Sequence, residues 1–517
     1  MASSTTRRRI AITATVTAVG LGLLAPPAAS AAPGDGTRAT YTNPVSHPDA
    51  DTFADPAVIR GKDGHWYTYG TTDPLKEGET TRHILPIMRS DDLVNWDYVG
   101  DAFTEETLPD WADRSRGAAL WAPDIRYVDG QYRLYYVVTE TTETGVPQTT
   151  TEVNDNAIGV AYSDSPTGPW VDSGDPVVDP RRAGPDNYLW TFDPHMVVGP
   201  DGTEYLYYGS YYGGIYVTQL TDDGSEAIGA ATQVAIDNKY EGAYVVQRGG
   251  WWYLFASSAN CCAGPTTGYS VHVGRSRSLT GPFVDREGVP MNQSRAGGTP
   301  VLYQNGNQWI GAGHNAVVTD LAGQDWIVYH AIDRADPYLN GTDGINERPM
   351  LIDRLDWIGG WPITRAGAGP SQGAQPGPTT GGATVTDFTA GPGAAYATRG
   401  GWAPVADDQS GTTLRSTGAG VNTVLTRSAL PQQVRVEADV RRTSGSGEHG
   451  LQALVNTYAG TAVSGVIDPE THRLVVRTTR GSTVTASRTA ALPAGYAYDE
   501  WHSLVPVSYT HLTLPTN

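Results

Sequence analysis

A strand-like alternation of aromatic and aliphatic residues recurs five times in the first two thirds of the chain. Each copy follows a glycine, and the copies are Gly64–Tyr69, Gly130–Tyr136, Gly202–Tyr208, Gly250–Phe255 and Gly323–Tyr329. Alternation with a period of two is typical of strands, and a glycine just before the strand is typical of a hairpin turn. Each copy therefore predicts the second strand of a β-hairpin.

The first strand of each predicted hairpin begins with a polar residue. Asp55, Asp193, Glu241 and His314 each precede their hairpin glycine by nine residues, whereas Asp124 precedes Gly130 by six. The five glycines are 48 to 73 residues apart, which leaves room for four strands in each repeat. This periodicity predicts an all-β, five-bladed β-propeller. A β-sandwich is the alternative, but it does not explain the constant offset.

Three carboxylates occupy these repeat positions, at Asp55, Asp193 and Glu241. In a propeller the innermost strands surround one axis, so equivalent positions at their starts converge on one funnel. A single acidic residue at a strand start is usually only solvated. Three that converge have perturbed pKa values suited to acid–base catalysis.

Composition and charge limit the partners of the chain. A formal net charge of −20 over 517 residues disfavours nucleic acid and anionic membrane surfaces, because both would repel the protein. The 28 Tyr and 14 Trp residues suit a β-rich protein with sugar-stacking surfaces. The two cysteines, Cys261 and Cys262, are adjacent, and the sequence leaves open a vicinal disulfide, intermolecular pairing or a reduced pair.

The segments outside the repeats include a predicted signal peptide, a linker, a second domain and a C-terminal segment that resembles a sequencing artefact. Residues 1–31 combine Arg7–Arg9, an apolar run and a small-residue cleavage site, and so predict a signal peptide and secretion. Residues 366–383 are rich in Gly and Pro and predict a linker. Residues 384–506 return to alternating strands, and residues 507–517 resemble the translation of a sequencing adapter.

Residues 41–365 contain a set of motifs that resembles glycoside hydrolase family 43. These motifs are Ala54–Pro56, Ser90–Trp96, Leu120–Asp124, Phe192–His195, Tyr240–Tyr244, Gly313–Asn315 and Asp356–Pro362. Residues 384–506 resemble a concanavalin-like β-sandwich, expected to be incomplete. Sandwiches of this kind often accompany such enzymes, and the sequence leaves open whether this one binds glycan.

The resemblance implies an inverting glycosidase. Asp55 would be the general base, Glu241 the general acid, and Asp193 would raise the pKa of the acid and orient it. Asp124 and Trp121 would contact sugar at the funnel mouth, or Trp121 would pack in the core. Phe192 is a further expected substrate contact.

Several motifs are similar to those of endo-α-1,5-arabinanases. The resemblance implies a plant cell-wall arabinan substrate, no organic cofactor, a monomer, and calcium held largely through waters. His314 is the expected calcium residue and His330 the second choice, and either histidine would otherwise be structural. Bulky Trp190 and Phe192 instead favour exo cleavage, as an α-L-arabinofuranosidase, or another pentoside, as a β-xylosidase. A non-catalytic glycan-binding propeller and a propeller phosphatase are rival functions that do not need the acidic trio.

Overall fold

Each of the five sequence repeats folds into one four-stranded antiparallel sheet. The computed structural model describes residues 40–142, 155–184, 187–306, 308–342, 344–381, 385–407, 411–428, 434–505 and 507–508. The chain divides into two compact units, one of Thr37–Val197 with Glu204–Thr386, and the other built mainly from Asp387–Asn517. The signal-peptide prediction for residues 1–31 lies outside the described residues.

The strands of the first unit follow one another in chain order within each sheet. A short strand β1 (Thr40–Tyr41) precedes blade 1, which contains β2 (Ala57–Arg60), β3 (Trp66–Tyr69), β4 (Ile84–Ser90) and β5 (Asp97–Phe103). Blade 2 contains β6 (Leu120–Val128), β7 (Gln131–Val138), β8 (Ala157–Ser163) and β9 (Val171–Asp172). A separate hairpin of β10 (Arg181–Gly184) and β11 (Asn187–Leu189) precedes blade 3.

Blades 3 to 5 repeat the same order. Blade 3 contains β12 (His195–Val198), β13 (Glu204–Tyr208), β14 (Ile215–Leu220) and β15 (Ala227–Ala235). Blade 4 contains β16 (Tyr240–Arg248), β17 (Trp251–Ser258), β18 (Ser270–Ser276) and β19 (Thr299–Leu302). Blade 5 contains β20 (Trp309–Thr319), β21 (Asp325–Asp333), β22 (Met350–Ile358) and β23 (Trp361–Thr364), and β24 (Gln375–Pro376) follows. The described 3-10 helices are Arg114–Arg116, Gly264–Thr266 and Arg365–Gly367.

The five sheets close into a ring. The first strands of blades 1 and 2, 4 and 5, and 5 and 1 lie against each other, and β13 and β14 of blade 3 lie against the first strand of blade 4. Met196 on β12 donates its N–H to Asp124 of blade 2. The start of the chain completes the closure: β1 pairs with β24, and Asn43 exchanges two hydrogen bonds of 3.0 Å with the backbone of Ile352. A five-bladed β-propeller is therefore confirmed, and five separate sheets exclude a β-sandwich for this unit.

Hydrophobic cores fill the spaces between neighbouring blades. One cluster joins blades 1 and 2 through Tyr69 and Leu134, and another joins blades 4 and 5 through Phe255 and Tyr329. The alternating residues of the sequence repeats supply these side chains. All five hairpin glycines have positive φ, between 75° and 91°, which is the backbone conformation that the turn requires of them.

The Gly/Pro-rich segment predicted as a linker packs in part against blade 5. Ser371 is buried and donates its N–H to Asp353, and Thr379 donates its N–H to Asp320. Together with the β1–β24 pair, these contacts make residues 370–379 part of the propeller closure. Low hydrophobicity predicted a linker, but backbone and small polar groups can pack by hydrogen bonding alone.

The second unit is also all-β. Its strands are β25 (Tyr396–Arg399), β26 (Trp402–Asp407), β27 (Gly411–Ser416), β28 (Thr423–Thr426), β29 (Val434–Arg435), β30 (Ala438–Val440), β31 (His449–Asn456), β32 (Thr461–Asp468), β33 (Arg473–Arg480), β34 (Thr483–Ala491), β35 (His502–Leu504) and β36 (Val507–Ser508). Strands β31 to β34 form one sheet whose edge strand β34 is exposed along its whole length, and the other strands pair in twos. The core is small and includes Ile467, Leu474 and Tyr496.

The structure describes the start of the segment that resembles an adapter and both cysteines. Val507–Ser508, the start of the segment that resembles an adapter, pairs with Val434–Arg435, and residues 509–517 lie outside the described residues. Cys261 and Cys262 form a vicinal disulfide between β17 and the helix Gly264–Thr266. No helix in the described part of the chain is long and apolar enough to cross a membrane.

Candidate active site

A residue with left-handed backbone lies just before or within the first strand of every blade, at a corresponding position. These residues are Asp55, Ala122, Asp193, Gly242 and His314, with φ values of 55°, 45°, 56°, 58° and 49°. In blades 2, 4 and 5 each lies in a β-bulge of the first strand. Such backbone is costly for residues other than glycine and persists only where the surroundings hold it.

This alignment corrects two predicted equivalences. The residue of blade 4 that corresponds to Asp55 and Asp193 is Gly242, so Glu241 lies one position earlier. The corresponding residue of blade 2 is Ala122 rather than Asp124. The nine-residue count failed because hairpin lengths differ: two residues separate the first two strands in blades 2 and 4, and five separate them in blades 1, 3 and 5.

Backbone hydrogen bonds between blades hold these strand starts. The N–H of Asp55 donates to His330 Nδ1 (3.2 Å), that of Ala122 to Thr71 Oγ1 (2.9 Å), that of Gly242 to Asp193 Oδ2 (2.8 Å) and that of His314 to Ser257 Oγ (2.8 Å). In each pair the acceptor belongs to the preceding blade of the ring. We call these four contacts the axial hydrogen-bond ring.

Asp55 lies in a cationic and hydrogen-bonding environment. Thr71 Oγ1 donates to Asp55 Oδ2 at 2.6 Å, while His314 Nδ1 and Arg348 Nη1 lie 3.2 and 3.5 Å from Asp55 Oδ1. Burial acts to raise the pKa of Asp55, but His314, Arg348 and His330 outweigh it and hold the pKa well below its usual value. Burial lowers the pKa of His314, and that of His330 to about 4, so Arg348 is the permanent cation beside Asp55.

Glu241 and Asp193 have the opposite electrostatics. Burial, opposed by Tyr269 and reinforced by the charge of Asp55, raises the pKa of Glu241 to about 7. Burial and the neighbouring Glu241 raise the pKa of Asp193 well above its usual value. Ser210 Oγ donates to Glu241 Oε2 at 3.2 Å. The site therefore combines one carboxylate that stays ionised with two that hold protons, which is the division that acid–base catalysis needs.

Several residues of the site were not predicted from the sequence. Thr71 and Ser257 each lie seven residues after a hairpin glycine, so the repeat alignment would have found them had it been extended into the second strand. His330 has the same spacing, and the sequence predicted it only as the second choice for calcium. Arg348 and Tyr269 lie outside the repeat, in the segment before β22 and at the edge of β18, and no local pattern distinguishes them.

Asp124 occupies a different place from the one predicted. Arg126 donates to both of its carboxylate oxygens at 2.9 and 3.0 Å, and Met196 N–H and His195 Nδ1 approach them at 2.9 and 3.2 Å. Burial opposes ionisation, but Arg126 and His195 keep the pKa of Asp124 below its usual value. Asp124 is therefore a buried link between blades 2 and 3 rather than a sugar contact at the funnel mouth.

Trp121 and Phe192 form an aromatic wall. Trp121 is 41% exposed, and its ring lies 6.0 Å from that of Phe192. Trp190 continues the wall, 5.7 Å from Phe192 and 6.4 Å from Tyr212. The exposure of Trp121 argues against the core-packing alternative and leaves part of its side chain accessible to a ligand.

The described residues contain no group of three or more His, Cys, Asp or Glu side chains arranged to hold a metal ion. His314 and His330 both lie near Asp55, with ring centroids 6.2 Å apart. His330 Nε2 and the side-chain amide of Asn315 are buried without hydrogen-bond partners among these residues. Direct coordination by several protein atoms therefore does not fit, whereas an ion that binds one neutral histidine and otherwise water does.

Comparisons with known proteins identify relatives of this chain. Residues 41–362 match the model of glycosyl hydrolases family 43. The extracellular endo-α-(1→5)-L-arabinanase 1 of Bacillus subtilis is 31% identical over 340 residues, which cover 64% of this chain and 92% of that protein. The extracellular exo-α-(1→5)-L-arabinofuranosidase ArbA of Cellvibrio japonicus is 32% identical over 333 residues, covering 60% and 85%. The solved structure of Cellvibrio cellulosa α-L-arabinanase complexed with arabinohexaose shares 30% identity at a TM-score of 0.49, covering 61% and 96%.

Proposed function

The chain belongs to family 43 of the glycosyl hydrolases, and we propose that it cleaves the α-L-arabinofuranosidic linkages of arabinan outside the cell with inversion of configuration. The observation that carries this proposal is the split between an ionised Asp55 and a protonated Glu241 at the axis of one propeller. The relatives named above act on α-1,5-linked arabinose and are extracellular by name, which supports the substrate and the location.

Each carboxyl group has a role that matches its electrostatics. Asp55, kept ionised beside Arg348, accepts a proton from the water that attacks the anomeric carbon. Glu241, protonated up to a pH of about 7, donates its proton to the leaving oxygen. Asp193 accepts a hydrogen bond from the N–H of Gly242 and so fixes the backbone that carries Glu241. Burial and the charge of Asp55 raise the pKa of Glu241, so the role of Asp193 is to orient the acid.

The aromatic wall supplies the surface on which sugar rings stack. Trp121 presents an open indole face, and Phe192 and Trp190 extend it. The wall is braced from behind, since Trp190 N–H donates to Tyr212 O at 2.9 Å and its carbonyl accepts from Arg181. Bulky aromatic side chains here favour recognition of the end of an arabinan chain, so exo cleavage is a second candidate for the mode of action. The relatives include an endo-acting and an exo-acting enzyme.

Calcium is a further part of the proposal. His314 would hold the ion, because burial keeps its imidazole neutral and its position beside Asp55 faces the axis. The buried polar atoms of Asn315 and His330 would bind waters around it. A bound cation at this place would supply positive charge near the carboxylates, and His330 would hold the backbone of Asp55 as it does here.

Products and stereochemistry test the proposed function together. Linear α-1,5-arabinan should give short oligosaccharides if cleavage is endo, and a single small product from the start if it is exo. Early-time NMR should detect product with inverted anomeric configuration, because inverting enzymes separate their carboxyls by roughly 6.5–9.5 Å to admit water. Retention of configuration, or activity on xylan alone, would refute the proposal. An inactive Asp55→Asn variant serves as the blank.

A further inference from the structure

The segment after β3 links blades 1 and 2 at the starts of their first strands. Thr71 donates to Asp55 of blade 1, and its Oγ1 also accepts the N–H of Ala122 of blade 2. Thr72 is bound on both its N–H and its hydroxyl by Leu120 O, at 3.1 and 2.6 Å. Asp73 follows in the same segment and lies close enough to Asp55 for the charges of the two carboxyl groups to interact.

Asp73 shares one guanidinium with Asp55. Arg348 Nη1 lies 3.5 Å from Asp55 Oδ1, and Arg348 Nη2 lies 3.8 Å from Asp73 Oδ2. The second distance is too long for a hydrogen bond, and Asp73 Oδ2 is buried without a hydrogen-bond partner among the described residues. The Asp73 side chain as a whole is 18% exposed, so part of the carboxyl group remains accessible although Oδ2 is buried.

A buried carboxylate oxygen without a donor is costly, and a ligand that supplies one relieves that cost. Burial, with a smaller contribution from Asp55, raises the pKa of Asp73 to about 7, as expected of a carboxyl group that lacks donors. The ligand of this funnel, on the function proposed above, is an arabinofuranosyl unit whose anomeric carbon is next to Asp55. Its secondary ring hydroxyls are hydrogen-bond donors on the neighbouring carbons.

We propose that Asp73 is a substrate-binding residue that accepts a hydrogen bond from a secondary ring hydroxyl of the arabinofuranosyl unit whose bond is cleaved. Arg348 positions this carboxylate and the general base Asp55 on adjacent nitrogens of one planar group. The arrangement couples recognition of the ring hydroxyl to the placement of the base. This inference rests on the proposed function and adds the contact that distinguishes a correctly seated sugar.

A substrate–variant cycle tests the contact. The substrates are aryl α-1,5-arabinotriosides in which the arabinose attached to the aryl group has both secondary hydroxyls, lacks O2 or lacks O3. At pH 8, where Asp73 with a pKa of about 7 is ionised, wild-type enzyme should lose roughly 10–100-fold in kcat/KM when the contacting hydroxyl is removed, as expected for a hydrogen bond to a charged group. On the parent substrate, kcat/KM of Asp73→Asn should be lower than that of wild type by a similar factor. Removing the contacting hydroxyl should then lower kcat/KM of the variant by less than about 3-fold. Intrinsic reactivity differences between substrates cancel in this comparison.

The matched control is Asp101→Asn, a half-buried carboxylate of the same blade that contacts Tyr98 on β5 and His83 just before β4. It should keep the wild-type response to both deoxy substrates. Asp73→Glu retains a charge opposite Arg348 and replaces the Asn variant if that one does not fold, and it too should lose the discrimination. An Asp73 variant that is as sensitive to both deoxy substrates as wild type overturns the inference. Wild-type enzyme that cleaves no arabinoside would instead refute the proposed function, and this inference with it.

Discussion

Replacing Glu241 with Gln tests the assignment of the general acid. Gln keeps the shape of the side chain and the hydrogen bond from Ser210, but it has no proton to give to the leaving oxygen. The loss should therefore depend on how much help the leaving group needs. Arabinan, whose leaving group is a sugar hydroxyl, needs a full proton, whereas a dinitrophenolate leaves almost unaided.

The structure sets the size of the effect. The ordinary pKa of 4.5 would leave roughly 3% of Glu241 protonated at pH 6, whereas a pKa of about 7 leaves roughly 90%, a gain of about 30-fold in competent acid. General acid catalysis contributes roughly 10²–10⁴-fold. We therefore expect a loss of that order on arabinan and of less than about 10-fold on a dinitrophenyl arabinoside.

The assay compares kcat/KM on both substrates between pH 4 and 9. Wild-type activity on arabinan should fall above a pH of about 7, as Glu241 loses its proton, and the variant should be uniformly slow there. Glu140→Gln is the matched control, because burial also raises the pKa of Glu140 although it pairs with Thr139 in blade 2. Equal losses on the two substrates in the Glu241 variant would refute its role as the acid.

Three further outcomes are expected. At pH 8 Glu241→Gln should increase the free energy of unfolding by up to about 3 kcal/mol and so raise the melting temperature. The reason is that a carboxyl group whose pKa is raised in the folded state destabilises the fold as the pH rises from 4.5 through about 7. At pH 4 calorimetry should find no gain, and an equal gain at both pH values would contradict this sign. A chelator should lower the melting temperature of wild type but not of His314→Ala, and an unchanged response in the variant would return His314 to a structural role. A chain of residues 32–381 should have a melting temperature about 5 °C higher than a chain of residues 32–367, because the shorter chain lacks Ser371 and β24. Equal melting temperatures would show that the closure segment contributes nothing to stability.

The propeller was predictable because its signal is repeated. Five hairpins with a glycine turn, each alternating aromatic and aliphatic residues, leave little freedom once the repeats are aligned, and all five form the expected strands. Asp55, Asp193 and His314 were placed at equivalent positions for the same reason, and each has the left-handed backbone that turns it toward the axis.

The features that the sequence did not predict correctly depend on contacts made only in the folded chain. The offset between Glu241 and Gly242, and that between Asp124 and Ala122, comes from bulges and hairpin lengths that do not alter the hydrophobic pattern. Asp124 looks like any other acidic residue near a motif until Arg126 and His195 are seen around it. Arg348 is separated by almost 300 residues from Asp55, so only closure of the ring brings the two together.

The axial hydrogen-bond ring bears on how such a protein can change. Its acceptors are the imidazole of His330, the carboxylate of Asp193 and the hydroxyls of Thr71 and Ser257, so its four junctions use three kinds of acceptor although the blades are built alike. A blade moved to another position would have a neighbour whose acceptor is of a different kind or at a different distance. The left-handed backbone of the moved blade would then lose its hydrogen bond. The blades are thus similar as architecture yet not interchangeable as parts. Duplication of one unit can account for the shape, but the order of the five has been fixed by what each does for the next.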